Sequence, residues 1–469
     1  MPNGLRRGVL TGIVAAVLGL APAGELRAQS LAQTLVNAYE HSGLLEQNRA
    51  LLRAADEDVA QIVSELRPII NYTSEVSRTF GKTQTNGASR GIASNDLTIG
   101  LSLDLLLYDF GRTQLRIAAA RETVLATREA LRSIEQQVLL RAVSAHMGVR
   151  RDSELVAVRQ NNLRLLRQEL RAAKDRFEVG EVTRTDVALA EARLASAEAG
   201  LASAQGALLQ SIEEYRAATG HKPNNLQPPR TLPRLSGDVE GAKNIAMRKH
   251  PDMLRARYDV AAADFTVEAA EAAMKPRIGF TAGIQAGEEI DNSDYSRTGS
   301  FGITMSGPIY QGGLLSSAAR QAMARADSLR GQLHVVRHRV VQDVGNAYAI
   351  LRAANASRQA GQEQVRAARV AFRGVREEAS LGARTTLDVL DAEQELLDAQ
   401  ATAISAEADV YIAAYAVLSS IGELTAKDLK LNVQIYDPAA YYDLVKDAPV
   451  PISPQGQKLE RVLEALGKK

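Results

Sequence analysis

The sequence predicts a mainly α-helical protein that also carries membrane-type β-strands, with the whole arrangement built twice in one chain. Three observations carry this: an internal repeat, long proline-free heptad stretches, and four strand-length runs of alternating character. The repeat is read first, because it constrains the architecture. Gly180-Glu-Val-Thr183-Arg-Thr185-Asp186-Val187 aligns with Gly382-Ala-Arg-Thr385-Thr-Leu-Asp388-Val389, an offset of 202 residues from Asp186 to Asp388. The same offset matches Glu191 with Glu393, Leu194 with Leu396, Ala197 with Ala399, Ala204 with Ala406 and Gly220 with Gly422. Backwards, it matches Tyr108 with Tyr310, Gly111 with Gly313 and Gly100 with Gly302. A register kept this long is tandem duplication. Its period far exceeds that of a solenoid, so each copy is half of one large structure.

At the N-terminus, Arg6 and Arg7 precede the apolar run Val9 to Leu20, followed by Ala21-Pro22-Ala23 or Leu26-Arg27-Ala28 as cleavage sites. This is the layout of a secretory signal peptide covering residues 1–28. The alternative, a membrane anchor, needs about 20 apolar residues. No later segment reads as a transmembrane helix. The mature chain is expected to start near Gln29 and to leave the cytoplasm.

Prolines mark the joints. Pro68 and Pro276 occupy corresponding points, each closing a helical stretch (Leu31 to Arg67; Ala242 to Lys275), and His250-Pro251 marks a helix start. After Pro68 the period changes to two. Ile70, Tyr72 and Val76 lie on one side of a run from Ile69 to Phe80. Leu97, Ile99, Leu101, Leu103 and Leu105 alternate with Thr98, Gly100, Ser102 and Asp104. Between these runs, Gly81 to Asp96 reads as a polar loop. The second half repeats the pattern in Ile278, Phe280, Ala282 and Ile284, then in Phe301, Ile303 and Met305. Each run has the length of a tilted membrane strand with one apolar face. A half-buried strand of a soluble sheet fits the local pattern equally well.

The remainder reads as helix. No proline interrupts 69–222 or 309–437, so helices can run unbroken. Leu163, Leu166, Leu170, Ala173 and Phe177 keep a three–four spacing, and Val365, Ala368, Phe372, Val375 and Ala379 repeat it. Val187, Leu194, Leu201 and Leu208 recur every seven residues, as do Val389, Leu396, Ala403, Val410 and Val417. Sustained heptads predict supercoiled helices. A helix from Arg112 to Val179 would be ~100 Å long. It turns back at Gly180, with Thr183 or Asp186 as N-cap of the return helix.

Composition removes other classes. There is no Cys, hence no disulfide scaffold, thiolate metal site, Cys nucleophile or lipidated N-terminal Cys. Net charge is +1 with both signs interleaved, unlike a nucleic-acid footprint. His334 and His338 are spaced i, i+4, but Val335 stands where a zinc protease needs Glu. A solvated helix face is the plainer reading. No catalytic, cofactor or metal constellation is present. Four strands cannot close a barrel, and open edges are not tolerated in lipid. Strands that enter a membrane here require several copies of the chain. A signal peptide without a spanning helix points to the outer membrane of a Gram-negative cell.

The chain resembles the TolC family of outer-membrane channel-tunnels. The resemblance runs from Ser30-Leu31 to about Tyr442. It is sharpest at Leu381-Gly-Ala-Arg-Thr-Thr-Leu-Asp-Val-Leu-Asp-Ala-Glu393 and its counterpart Phe177-Glu-Val-Gly-Glu-Val-Thr-Arg-Thr-Asp186. It implies a homotrimer whose chains share one twelve-stranded barrel and a helical tunnel crossing the periplasm. It also implies an equatorial belt built from Pro223 to Pro233 and the segment after Gly422. The chain then divides into a signal peptide (1–28), first repeat (29–222), linker (223–241), second repeat (242–422), equatorial C-terminal segment (423–448) and flexible, dispensable tail (449–469).

The same resemblance assigns residues. Val179, Gly180, Leu381 and Gly382 would be helix tips that meet a periplasmic adaptor, although a hairpin Gly also serves simply to supply positive φ. Asp388 and Asp391 would ring the tunnel entrance, where crowded carboxylates favour cations. A solvated helix start accounts for them as well. Arg384 would hold the gate closed through Thr185 and Asp186 of a neighbouring helix. One departure is Ala379, where the family gate carries Tyr, with Glu378 as a possible replacement. The implied function is export, with no chemistry of its own, through outer-membrane lipid once an inner-membrane ABC or proton-driven transporter and its adaptor dock. The Arg384–Glu393 motif favours type I protein secretion over multidrug efflux. A periplasmic or surface coiled-coil protein is the alternative from another class, but it leaves the strands without a role.

Overall fold

The computed structural model describes residues 29–467 except 230, 236 and 292. The expected signal peptide lies outside the described residues. The first half runs α1 (Leu31–His41), α2 (Gly43–Ser64), β1 (Ile69–Thr85), β2 (Ala88–Tyr108), α3 (Arg112–Glu178) and α4 (Arg184–Thr219). The second half repeats that order as α5 (Val239–Lys249), α6 (Pro251–Ala272), β3 (Arg277–Glu289), β4 (Tyr295–Ser306), α7 (Leu314–Ser380) and α8 (Thr386–Ile421). Short helices α9 (Ala440–Val445) and α10 (Pro454–Ala465) follow.

Two offsets relate the halves. From α1 to the start of β1 the shift is 208 residues, as from Leu31 to Val239 and from Ile69 to Arg277. From α3 to α4 it is 202, as from Arg112 to Leu314 and from Arg184 to Thr386. The first β-hairpin is therefore six residues longer than the second, and the rest of the duplication is in strict register.

Each entering stretch is two helices: the break at Ser42 was not expected, whereas the one at His250 falls at the helix start that His250-Pro251 marks. At Ser42 the hydroxyl accepts from Leu45 N at 3.3 Å, and at His250 the Nδ1 accepts from Asp252 N at 3.1 Å. These caps satisfy amides that a helix start leaves unpaired. The expected loop at Gly81 to Asp96 is mostly strand. β1 and β2 stay paired as far as Thr85 opposite Ala88. The turn is Asn86-Gly87, both at positive φ (52° and 84°), the geometry of a two-residue hairpin turn that suits sheet twist. The polar composition that suggested a loop belongs to strands with two wet faces.

The four strands form one antiparallel sheet in the order β1-β2-β3-β4. The register places Tyr72, Leu101 and Ile284 on one face, with Phe280 and Ile303 on the same side. The other face carries Thr73, Gly100 and Gln285. The apolar face is uncovered: Tyr72 is 80% exposed and Phe301 84%. Backbone edges of β1 and β4 are both open.

α3 and α7 each span 67 residues, ~100 Å, and each folds back on its 36-residue return helix. The main core gathers where the helices are most crowded, around Leu35, Leu52, Leu139, Val143, Val344, Val417 and Ile421. Contrary to expectation, one described helix is long and apolar enough to cross a membrane, α8. Its apolar residues instead form the inner seam: Val389, Leu397, Val410, Val417 and Ile421 are buried. The tail also departs from expectation. α10 is capped by Ser453, and its Leu459 and Leu463 pack against Ala60, Tyr441 and Val445. The residues after Pro449 thus have an apolar stripe to bury, which a flexible tail would leave in water.

This C-terminal segment breaks the symmetry of the halves. Arg330 pairs with Asp264 at 2.6 Å on the surface. The equivalent residues Arg128 and Asp56 lie beneath the C-terminal segment, where Arg128 stacks over Tyr442 and Tyr441 donates to Glu57 at 2.6 Å. Asp56 is fully buried, and burial pushes its carboxyl up to about 7.

Gly422 closes α8 at φ 85°, and a Cβ there would lie 2.8 Å from His250 Cα. Gly422→Ala combines left-handed strain with a backbone clash and should cost about 2–3 kcal/mol. Gly374→Ala, mid-helix with open space around it, should gain about 0.5–1 kcal/mol. Paired thermal melts read the two shifts in opposite directions.

Candidate functional site

The two helix hairpins turn at the end of the molecule far from the sheet, and they turn identically. Gly180 (φ 79°) and Gly382 (φ 77°) follow the last helical residues. Glu181 N returns to Arg176 O at 2.9 Å, and Ala383 N returns to Glu378 O at 2.9 Å, which closes both C-termini. No atom lies within 4 Å of a Cβ at either glycine. Conformation, not crowding, demands glycine here. The neighbouring apolar side chains are left in solvent: Val179 is 71% exposed and Leu381 85%.

Both return helices start with a capping box, and Thr183, not Asp186, is the N-cap. Asp186 accepts from Thr183 N at 2.8 Å while Thr183 Oγ1 accepts from Asp186 N at 3.3 Å. Thr385 and Asp388 repeat this at 2.9 and 3.3 Å. The Thr385 amide and hydroxyl hold the Asp388 carboxyl below the usual carboxylate range, and the Thr183 hydroxyl and amide do the same for Asp186. Both are firmly ionised at neutral pH.

Asp391, one turn beyond Asp388, bonds Arg193 Nη2 at 2.6 Å and so ties α8 to α4. Arg384 pairs within the protomer with Glu378 at 2.8 Å, across its own hairpin. It does not pair there with Thr185 or Asp186, because Glu378 lies closer along the turn. Arg193 is a site residue that the repeat could not reveal, since its counterpart at the 202 offset is Glu395.

A second residue missed by sequence reasoning is Asn162. On α3 it reaches Glu393 of α8, donating to Oε1 at 2.9 Å. Glu393 is only 3% exposed, and its Oε2 is buried without a hydrogen-bond partner. Burial first, and the nearby Glu169 second, push the carboxyl up to about 7. Because the folded value lies above the usual one, the neutral acid is the stabilising form. Its contribution is complete below about pH 4.5, shrinks as pH rises, and is lost above about 7. Glu393→Gln should therefore stabilise the coil at pH 8 by about 2 kcal/mol and leave it unchanged at pH 4.5. Equal melts for variant and wild type at both pH values would sink this assignment.

Among the described residues, no group of three or more His, Cys, Asp or Glu is placed to hold a metal. His334 and His338 lie exposed on α7. The site is thus a pair of exposed apolar knuckles beside ionised carboxylates, at the tip of a two-hairpin coil. It presents surfaces and charge rather than a reacting group.

The sequence pattern of the family described as "Outer membrane efflux protein" matches residues 34–221 and 244–423, one match per half. The chain is 37% identical over 422 residues to the outer membrane efflux protein BepC of Brucella suis, covering 89% of this chain and 91% of that one. It is 25% identical to the outer membrane protein TolC of Escherichia coli, covering 88% and 87%. It is 27% identical to the alkaline protease secretion protein AprF of Pseudomonas aeruginosa, covering 88% and 86%. Among solved structures, the fold matches the outer-membrane channel OprN with TM-score 0.72 at 23% identity, covering 84% of this chain and 89% of that one. It matches the Campylobacter jejuni CmeC outer membrane channel with TM-score 0.75 at 15% identity, covering 90% of each. The chain belongs to the outer membrane efflux protein family, which includes TolC, and is an export channel of the Gram-negative outer membrane rather than an enzyme.

Proposed function

We propose that three copies of the chain form one duct, and that it serves type I protein secretion. The observation that carries the assembly is the open sheet: four strands with both edges unpaired and an exposed apolar face. A membrane tolerates such a sheet only once copies have closed it. Three chains of four strands give a twelve-stranded barrel, wide enough for a lumen. The helix hairpins continue it as a periplasmic tunnel, and the tips bear Val179, Gly180, Leu381 and Gly382 as the surface met by an adaptor.

At the tip, three-fold repetition turns Asp388 and Asp391 into rings of carboxylates that favour cations. Arg384 and Glu378 form one latch within each protomer, and Arg193 with Asp391 forms a second between hairpins. Links from Arg384 to Thr185 and Asp186 belong, in this reading, to the seam with the neighbouring copy. Opening then requires the adaptor to displace charge-assisted bonds that are exposed and individually weak.

Protein cargo driven by an ABC transporter is supported by the closeness of the Arg384–Glu393 segment to the family's secretion-type tip and by the similarity to AprF. Small-molecule efflux, with a proton-driven or ABC transporter, is the second reading. The 37% identity to an outer membrane efflux protein favours it.

In planar bilayers the purified protein should give a small, cation-selective conductance. Asp388→Asn/Asp391→Asn should lower the cation preference severalfold. A pore with unaltered selectivity removes the ring from the reading, and no insertion by folded protein removes the duct. In cells lacking the chain, loss of a secreted protein from the medium with drug resistance intact supports type I secretion. The opposite pattern supports efflux.

A further inference from the structure

We infer that the barrel carries a binding site for the phosphate groups of an outer-leaflet lipid at each seam between protomers, built from Lys82 and Arg78 of one copy and Arg297 of the next. The inference rests on the trimeric barrel proposed above. It begins with the register of the sheet. β1 maps onto β3 at an offset of 208 and β2 onto β4 at 202, since Ile69 pairs with Asp104 and Arg277 with Ser306. The internal junction of β2 with β3 is therefore the template for the junction of β4 with β1 of the neighbouring copy. At the template's outer end Asp96 faces Glu289, and Ile290 N donates to Asn95 O at 2.7 Å. Carried across the seam, the Asn95–Ile290 contact becomes Arg297 beside Lys82 of the next copy.

Both side chains point away from the lumen. Arg297 lies opposite Ala286, which faces Ile99 on the apolar side of the sheet. Lys82 lies two and six residues beyond Phe80 and Val76, which share its face. Arg78 shares that face too. On β4 the apolar band Met305, Ile303 and Phe301 ends at Gly299, and Arg297 and Tyr295 follow. The band from Ile70 to Phe80 spans about 25 Å once strand tilt is allowed for, the height of an outer-membrane apolar belt. Lys82 and Arg297 thus sit at headgroup level; Arg78 starts four residues lower, within the band and opposite Phe301 by the same template, and reaches that level only with its long side chain extended along the strand. The helices leave from the opposite end of the strands, so this end faces the cell exterior.

The cluster is positive on balance. Arg78, Lys82 and Arg297 are exposed, and among the described residues none of them forms an ion pair. Arg297 lies over the Tyr295 ring at 5.5 Å, which holds it along the rim. Two carboxylates share this face at that level: Glu288, opposite Tyr295, and Asp291, which accepts from the side chain of Asn95 opposite Arg78. Like charges directly opposite across strands are about 5 Å apart and destabilise the pairing. A phosphate between them reverses that sign and gives the guanidinium a two-pronged partner. The occupant is a membrane lipid, because the cations border the apolar belt and its acyl chains can lie along Phe80, Phe301 and Ile303.

The test uses the full-length trimer purified in detergent, with lipid A and its dephosphorylated form as probes, read by native mass spectrometry. Wild type should retain lipid A, up to one per seam, and release the dephosphorylated form. Lys82→Gln/Arg297→Gln should weaken retention at least about tenfold, while Lys82→Arg/Arg297→Lys restores it. Equal retention of both lipids, or of lipid A by the Gln variant, overturns the site. Displacement by millimolar inorganic phosphate also overturns it in favour of a free-anion site. The trimer mass and the bilayer conductance of the same samples report separately on the channel. A conducting trimer indifferent to lipid phosphate fails only this inference. A chain that is not trimeric fails the seam and the duct together.

Discussion

Hydrocarbon offers no partner for the amides and carbonyls along a strand edge, and this chain exposes two such edges. β1 and β4 each carry a row of backbone groups that only another copy can pair. The remaining architecture depends on that requirement. Each strand pair runs directly into a long helix through a left-handed glycine, Gly111 at 86° and Gly313 at 84°. In the first half Asp109 reinforces the junction by accepting from Gly111 N at 3.2 Å and Thr113 N at 2.7 Å. Strand spacing and stagger are passed to the helices through these short connections, so closing the sheet also gathers the coils.

The coils meet a different demand: they must be long, continuous and still separable at one end. Length comes from the absence of proline and from heptad seams in which alanine lets backbones approach. Near the sheet-proximal end the seam is apolar and crowded, around Leu139, Val344 and Ile421. Toward the tip it thins to a small cluster around Leu166, Ala173, Ala190 and Leu390. The buried Asn162–Glu393 pair and the exposed Arg193–Asp391 bridge stand beside that cluster. Polar links of this kind hold two helices in register but add little net stability compared with apolar packing. The tip is the region of the coil that can be parted at least cost.

Much of this was legible in the chain. The duplication, the alternation of Leu97 to Leu105, the heptads of Val187 to Leu208 and the glycines of the hairpin turns all depend on neighbours close in sequence. Each misreading has its own physical cause. Gly81 to Asp96 is polar on both faces because the hairpin projects beyond the apolar belt, so no alternation marks it, although Asn86-Gly87 is itself a strong hairpin signal. The break at Ser42 depends on a cap worth only about 1 kcal/mol, whereas Pro251 marked the one at His250. The helix after Ser453 exists because Ala60, from the other end of the chain, accepts its leucines.

By itself the sequence determined the class of the protein: a duplicated, helix-rich chain with membrane-type strands and no catalytic group. Periodicity and composition are local, and they suffice for that. Only the tertiary structure decided which charges meet. It gave Arg384 to Glu378, Arg193 to Asp391 and Asn162 to a buried Glu393, and it turned Arg297 and Lys82 to the same side of the sheet. An ion pair or a buried carboxyl depends on distance and solvent exclusion between residues up to hundreds of positions apart. One-dimensional spacing does not encode those quantities.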